Sequence, residues 1–384
     1  MKYLFLLVVF ALGLFVPPAL AQTESGFPTS ADNLAILDYE SGEILFEKNA
    51  RVPMYPASMT KIMTALIVFD RIKSGALSLD DEFVVSEDAW QRGGAASGSS
   101  TMFLEPNSKV KIRDLLRGVI VQSGNDACIV LAQGIAGSEA AFADLMNRKA
   151  KELGLDNAHF VNSTGWPDPK HKISAYELAW LTRHSIAAHP EMFKIYAERT
   201  YTWNGITQAN RNPLYGSGIE GVDGMKTGYT KISKYGFVGT GMQNGVRRIF
   251  VINGLEANSA RRSESRRVMR AAFGEFKVYK LYKAGEKAGS APVFMGKSEA
   301  VDLVSSEDVS VGLHMPARAG LKVQIKYLGP IPAPITKGDH VANLIITAPG
   351  RETETIALLA GEDVKRKSVP ARILASLLSK VRGE

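Results

Sequence analysis

What most constrains this chain is a long block of helical periodicity, from Ser58 to about His189, enclosed on both sides by segments that alternate. Upstream, 34-LAILDYESGEILFEK-48 alternates, breaks at Ser41-Gly42 and alternates again, which is the pattern of a β-hairpin. Downstream, 236-GFVGTGMQ-243 and 246-VRRIFVING-254 flank Asn244-Gly245, a two-residue hairpin turn. Inside the block the periodicity predicts helices over 112–122, 126–136, 139–154 and 175–188, and a basic helix follows from about Ser259 to Phe276. Strands at both ends with helices between them predict one sheet built from both ends of a domain over about 30–280, with a helical lobe inserted. That is an α+β fold, and clefts form between such lobes.

The flanks carry different signals. Residues 1–21 have a basic start, a short apolar core and the small-x-small ending Ala19-Leu20-Ala21, so they read as a secretory signal peptide cut before Gln22. The expected destination is outside the cytoplasm, at the periplasmic face of the inner membrane. Cys128 is the only cysteine and excludes an intrachain disulfide; its setting, DACIVLA, reads as the buried face of a helix. The six histidines show no H-x-x-x-H or H-E-x-x-H spacing, so no metal site and no cofactor is expected. A formal charge of +7 suits an anionic phospholipid or wall polymer; nucleic acid is a poor partner for an exported chain.

From about Ala284 short β-rich runs separated by Gly and Pro take over, including 309-VSVGLHM-315, 321-LKVQIKYLG-329 and 341-VANLIITAP-349. They predict a small all-β domain over 284–363. The stretch 364–384 sets Val369, Ile373, Leu374, Leu377, Leu378 and Val381 at helical spacing among lysines and arginines. It is too short and too charged to span a bilayer, and suits a helix lying on an anionic membrane surface.

Three short motifs carry chemistry. In 56-PASMTKIMTALIVFD-70, Ser58 and Lys61 sit one turn apart at the start of a helix that is apolar almost all round. Burial favours the neutral amine, and a neutral lysine beside a hydroxyl is a general base beside a nucleophile. Alone, the pair is better explained by a helix-capping serine and a snorkelling lysine. The others are 123-SGN-125, at a turn between helices, and 226-KTG-228, opening a strand-rich segment.

In this order the set resembles the penicillin-binding proteins and serine β-lactamases, and within them the low-molecular-mass D-alanyl-D-alanine carboxypeptidases of the penicillin-binding protein 5 type. The surroundings YPASMTKIMTAL, QSGNDAC and VDGMKTGYT are similar to that family's, as are the β-rich appendage and the tail. The resemblance implies a serine enzyme that trims the terminal D-alanine from peptidoglycan stem peptides and is acylated by β-lactams at Ser58. Lys61 would take the Ser58 proton, Ser123 would relay a proton to the leaving amine, and Asn125 would bond the substrate amide. Lys226 and Thr227 would meet the substrate carboxylate, and Gly228 would leave room for a substrate strand. The backbone N–H groups of Ser58 and Tyr229 would form the oxyanion hole.

By the same resemblance Arg261, or the adjacent Arg262, would bind the peptide's terminal carboxylate, and Arg211 would approach the site. Tyr229 departs from the histidine that relatives often carry there. The nearest rival of related chemistry, a class A β-lactamase, needs a deacylating carboxylate, for which 177-ELAWL-181 is the nearest candidate and lacks the usual asparagine. A D-alanyl-D-alanine endopeptidase and a non-catalytic penicillin-binding wall scaffold stay open as alternatives.

Overall fold

The computed structural model describes residues 27–371 and Ile373. The expected signal peptide and most of the expected tail helix lie outside those residues. Numbering the strands of the main sheets, the first unit contains β1 (Asn33–Asp38), β2 (Ile44–Lys48), β3 (Val222–Thr230), β4 (Lys234–Gln243) and β5 (Val246–Leu255). They form one antiparallel sheet in the order β2-β1-β5-β4-β3, so both ends of the unit meet at the β1–β5 pairing, where Ile36 lies opposite Phe250. The principal helices are α1 (Lys61–Lys73), α2 (Asn125–Ala136), α3 (Glu139–Glu152), α4 (Ala175–Ala188) and α5 (Asn258–Gly274). The expected turns hold: Gly42 at the first hairpin, and Asn244 and Gly245 at the second, all have positive φ.

The two-residue period of the strands sorts their side chains into two cores. Ala35, Leu37, Val238, Ile249 and Val251 face the inserted lobe and pack with α1, α2 and α4. Leu34, Ile36, Phe237, Phe250 and Ile252 face the other way and are covered by Val268, Met269, Ala271 and Ala272 of α5. A sheet covered on both faces explains why β5 is buried without a break from Arg247 to Leu255.

One helix departs from its expected form. The segment 112–122 is α-helical only over Ile112–Arg117; Gly118–Gln122 widen into a π turn that ends at Ser123 in the left-handed region. The helix before the next therefore stops with Ser123 turned toward the lobe interior, at 2% exposure.

The second unit contains β6 (Phe276–Tyr282), β7 (Lys287–Phe294), β8 (Ala300–Ser305), β9 (Val309–His314), β10 (Lys322–Lys326), β11 (Ile331–Pro332), β12 (His340–Thr347) and β13 (Glu354–Ala360). Six of these form a sheet in the order β10-β12-β13-β8-β7-β11, and β6 pairs with β9. Because Phe276 already lies opposite His314, the β-rich unit begins at Phe276, and the expected boundary at 280–284 falls a strand too late. The partners that make β6 part of this unit lie from 27 positions away (Tyr282 and Val309) to 38 (Phe276 and His314), beyond the reach of local texture.

Candidate active site

Ser58 sits in a 3₁₀ turn, Ala57–Thr60, that leads directly into α1, and Lys61 is the first residue of that helix. The turn brings the Lys61 Nζ within 3.0 Å of Ser58 Oγ. Nζ also donates to Asn125 Oδ1 at 2.7 Å and to the Thr164 carbonyl at 2.8 Å. Lys61 is 1% exposed, and burial, helped by the nearby Arg211 cation, pulls its ammonium down to about 8. A neutral amine has two hydrogens. Asn125 Oδ1, whose amide nitrogen is committed to Ser99 Oγ at 2.8 Å, and the Thr164 carbonyl can only accept, so they take both and leave the lone pair facing the Ser58 hydroxyl.

The opposite wall is β3, the outer strand of the sheet. From it Lys226 reaches Ser123 Oγ at 2.8 Å and its own neighbour's carbonyl, that of Thr227, at 3.4 Å. Lys226 is buried too, and desolvation together with the positive charge of Lys61 holds its ammonium well below the ordinary lysine range. Ser58, Lys61, Ser123, Asn125 and Lys226 are thus brought into one cluster from a turn, a helix start, an interhelical turn and a strand. Burial pushes the Cys128 thiol up to about 12, so the cysteine behind Lys61 stays protonated.

Gly228 lies where β3 passes closest to the Ser58 turn. A Cβ on it would lie 2.7 Å from the Pro56 carbonyl oxygen and 3.2 Å from the Ala57 side chain, so the missing side chain lets β3 close on the turn that carries Ser58. Tyr229 is exposed and stacks on Tyr235 at 4.2 Å between ring centroids. Arg261 is buried beneath β3, where its guanidinium donates to the carbonyls of Gly228 (3.2 Å) and Gly236 (3.4 Å) and to Asn258 Oδ1 (2.7 Å). Arg262 beside it is exposed. Arg211 donates to Ser100 Oγ.

Several supporting groups have no signature in the sequence. Thr164 lies in a turn wound around Asn162 Oδ1, which accepts from the amides of Thr164, Gly165 and Trp166. Thr60 Oγ1 lies 2.9 Å from Nε2 of buried His171. Asp126 accepts from Thr101 Oγ1 and the amides of Met102 and Leu104, fixing the loop that presents Ser99 and Ser100. The carboxylate a β-lactamase would need is absent from the bonds of the pair: Glu177 forms a capping box with Ser174 and accepts from the Asn157 amide, and none of the bonds to Ser58 or Lys61 among the described residues involves a carboxylate.

Comparison with known proteins agrees with this geometry. A family model described as D-alanyl-D-alanine carboxypeptidase matches residues 20–257, and one described as the C-terminal domain of penicillin-binding protein 5 matches 276–366. The chain is 36% identical to the D-alanyl-D-alanine carboxypeptidase DacC of Escherichia coli over 94% of this chain and 91% of the relative. Among solved structures, the D-alanyl-D-alanine carboxypeptidase DacD from Francisella tularensis superposes with a TM-score of 0.78 at 31% identity, covering 89% of this chain and 95% of that one. Penicillin-binding protein 5 from Haemophilus influenzae does so with 0.71 at 33% identity, covering 88% and 99%. With all three motifs gathered at the junction of sheet and helical lobe and the likeness running through both units, the chain belongs to the D-alanyl-D-alanine carboxypeptidase family.

Proposed function

We propose that this protein is a serine D-alanyl-D-alanine carboxypeptidase that removes the terminal D-alanine from peptidoglycan pentapeptides. The observation that carries the reading is the buried Lys61 amine, 3.0 Å from Ser58 Oγ and hydrogen-bonded so that its lone pair is free for the hydroxyl proton. Ser58 Oγ attacks the carbonyl of the penultimate D-alanine while Lys61 takes its proton. The amide N–H groups of Ser58 and Tyr229 receive the charge that develops on the carbonyl oxygen. As the C–N bond breaks, the proton returns to the departing amine through the Ser123 hydroxyl, which Lys226 holds. Water then splits the ester, giving the shortened peptide and restoring Ser58.

Asn125 bonds the substrate amide, and Thr227 and Lys226 meet the terminal carboxylate, which draws Lys226 back to its charged form. Arg261 acts through the backbone of β3, and with Arg211 adds positive field at the same end. β-Lactams acylate the same serine. The chain is exported by its first 21 residues, works at the periplasmic face of the inner membrane, and is held there by its 364–384 tail on anionic lipid. The tail reading is supported by Val369 and Ile373, four residues apart at the start of that stretch and both exposed. Its three parts are the catalytic unit, the β-rich unit from Phe276 and the tail.

The test is D-alanine release from diacetyl-Lys-D-Ala-D-Ala beside Ser58→Ala, with fluorescent penicillin labelling of both. Release and labelling are expected together and both vanish in the variant; release that survives Ser58→Ala sinks the assignment of the nucleophile. Labelling without release transfers the protein to an endopeptidase or scaffold role.

A further inference from the structure

The register of the β-rich unit gives it two unlike ends. Lys326 lies opposite Asn343, His340 opposite Leu359, Ala360 opposite Leu303, Ala300 opposite Pro292, and Phe294 opposite Pro332, so the loops after β10, β7 and β13 and before β12 gather at one end. The opposite end carries the turn between β12 and β13, whose Arg351 bonds Glu43 of the catalytic unit. The chain leaves from the first end: Val364 bridges to Ile335, Arg366 to Gly296, and the Lys367 amide donates to the Met295 carbonyl.

At that first end apolar side chains stand in water. Leu328 is 95% exposed, with Phe294 at 48% and Tyr327 at 38%, and Val369 and Ile373 continue the exposed apolar character into the departing tail. A single exposed leucine is ordinary. A leucine wholly in water at a loop tip, sharing its end of the unit with two half-exposed aromatics and the 365-KRK-367 cations, is a convex apolar point beside positive charge. A groove would suit a peptide or a helix, whereas a convex tip suits a fluid surface that can close around it, and the cations select one with negative charge. Asp339, Asp363, Glu299 and Glu362 share this end, the first two accepting from the amides of Thr336 and Lys337, and they are outnumbered by Lys297, Lys326, Lys337 and the 365–367 cations.

We infer that this end of the β-rich unit seats on an anionic bilayer, with Leu328 and Phe294 entering the boundary between headgroups and acyl chains and the 365–367 cations meeting lipid phosphate. The inference rests on the membrane reading of the tail and adds the folded unit itself as a second contact. Two contacts fix the tilt of the protein on the membrane, where a tail alone leaves it free to swing.

The test uses the full mature chain and vesicles of phosphatidylglycerol and phosphatidylethanolamine, with D-alanine release from a soluble tripeptide as the control for folding. Leu328→Asp is expected to lower the vesicle partition coefficient about tenfold. Leu328→Trp is expected to gain fluorescence that lipids brominated near the headgroup end of the chain quench, relative to the parent. Should the Leu328→Asp chain bind like the parent, or the added fluorescence stay unquenched on vesicle-bound protein, the tip stands clear of lipid and the inference is overturned while the tail reading survives. Absence of any binding by the full chain overturns both. A chain ending at Pro370 that still binds as tightly, and depends on Leu328, removes the tail reading and leaves the tip. Leu328-dependent dimerisation without vesicles makes the tip a contact between copies instead and overturns the lipid seat.

Discussion

At the scale of single residues, the chemistry turns on where one proton sits. Lys61 is held down to about 8 chiefly by burial, so below that pH most molecules carry an ammonium whose three hydrogens face Ser58, Asn125 and Thr164, which on the proposed mechanism cannot take the Ser58 proton. Acylation by a labelled penicillin is therefore expected to rise with pH, to level off above about 8, and to fall roughly tenfold per pH unit below it. A flat profile between pH 6 and pH 9 contradicts that role. Lys61→Arg keeps the charge but cannot lose its proton, and is expected to cost about a thousandfold or more in acylation rate. The grouping of Ser58, Lys61, Ser123, Asn125 and Lys226 was legible only through the resemblance of their ordered motifs to a known family, since nothing local ties Ser58 to Ser123 or Lys226. Thr164 and Ser99 were not, since Lys61 meets the first across 103 positions and Asn125 the second across 26, and no pattern along the chain reports either contact.

At the scale of elements, the Ser58 turn is clamped from two sides. On one side is the loop of His171. The Val161 amide donates to Nδ1 at 3.1 Å, which leaves the ring hydrogen on Nε2 to donate to Thr60 Oγ1. Burial holds this imidazole down to about 4, whereas in the unfolded chain it titrates near 6.5. Between those values the unfolded chain takes up a proton that the folded chain refuses, so stability falls as pH drops through that window. From pH 7 to pH 5 the loss is expected to be about 2 kcal/mol, read from urea unfolding midpoints. His171→Gln should flatten the slope over that range; an unchanged slope assigns the pH dependence to another group. On the other side is Gly228. Gly228→Ala sets a methyl against the Pro56 carbonyl, which pushes β3 away from Ser58, and acylation is expected to fall about a hundredfold in a folded protein. Full activity in that variant means the strand has slack. Helix and strand positions were mostly legible from periodicity. The π turn at Gly118–Gln122 was not, because one extra residue in a turn leaves the apolar pattern on either side intact.

At the scale of the molecule, the two units are joined by more than the chain. Arg351 donates to the Glu43 carboxylate at 3.3 Å, to the Ile44 carbonyl at 3.2 Å and to the Gly312 carbonyl at 2.6 Å, and pairs with Glu354. Glu43 also accepts from the Gly312 amide at 3.2 Å, and burial lifts its carboxyl above the ordinary range. The local texture of the sequence marked where the β-rich unit becomes dense in Gly and Pro, yet nothing local could show that β6 pairs across to β9 or that a turn near residue 351 closes on residue 43. Arg351→Met leaves Glu43 partly buried without its cation, which is expected to destabilise the junction by about 2 kcal/mol. The Glu43→Gln/Arg351→Met pair, which removes the stranded charge, should recover part of that loss in a double-variant cycle. Neither residue shares a hydrogen bond with the Ser58 cluster, so D-alanine release from a soluble tripeptide should stay at the parent level in both. Small-angle scattering should instead show a larger radius of gyration for Arg351→Met as the units part. If the scattering profile is unchanged while the stability loss appears, the pair contributes to folding without setting the angle between the units, which must be fixed elsewhere along the contact between β2 and β9.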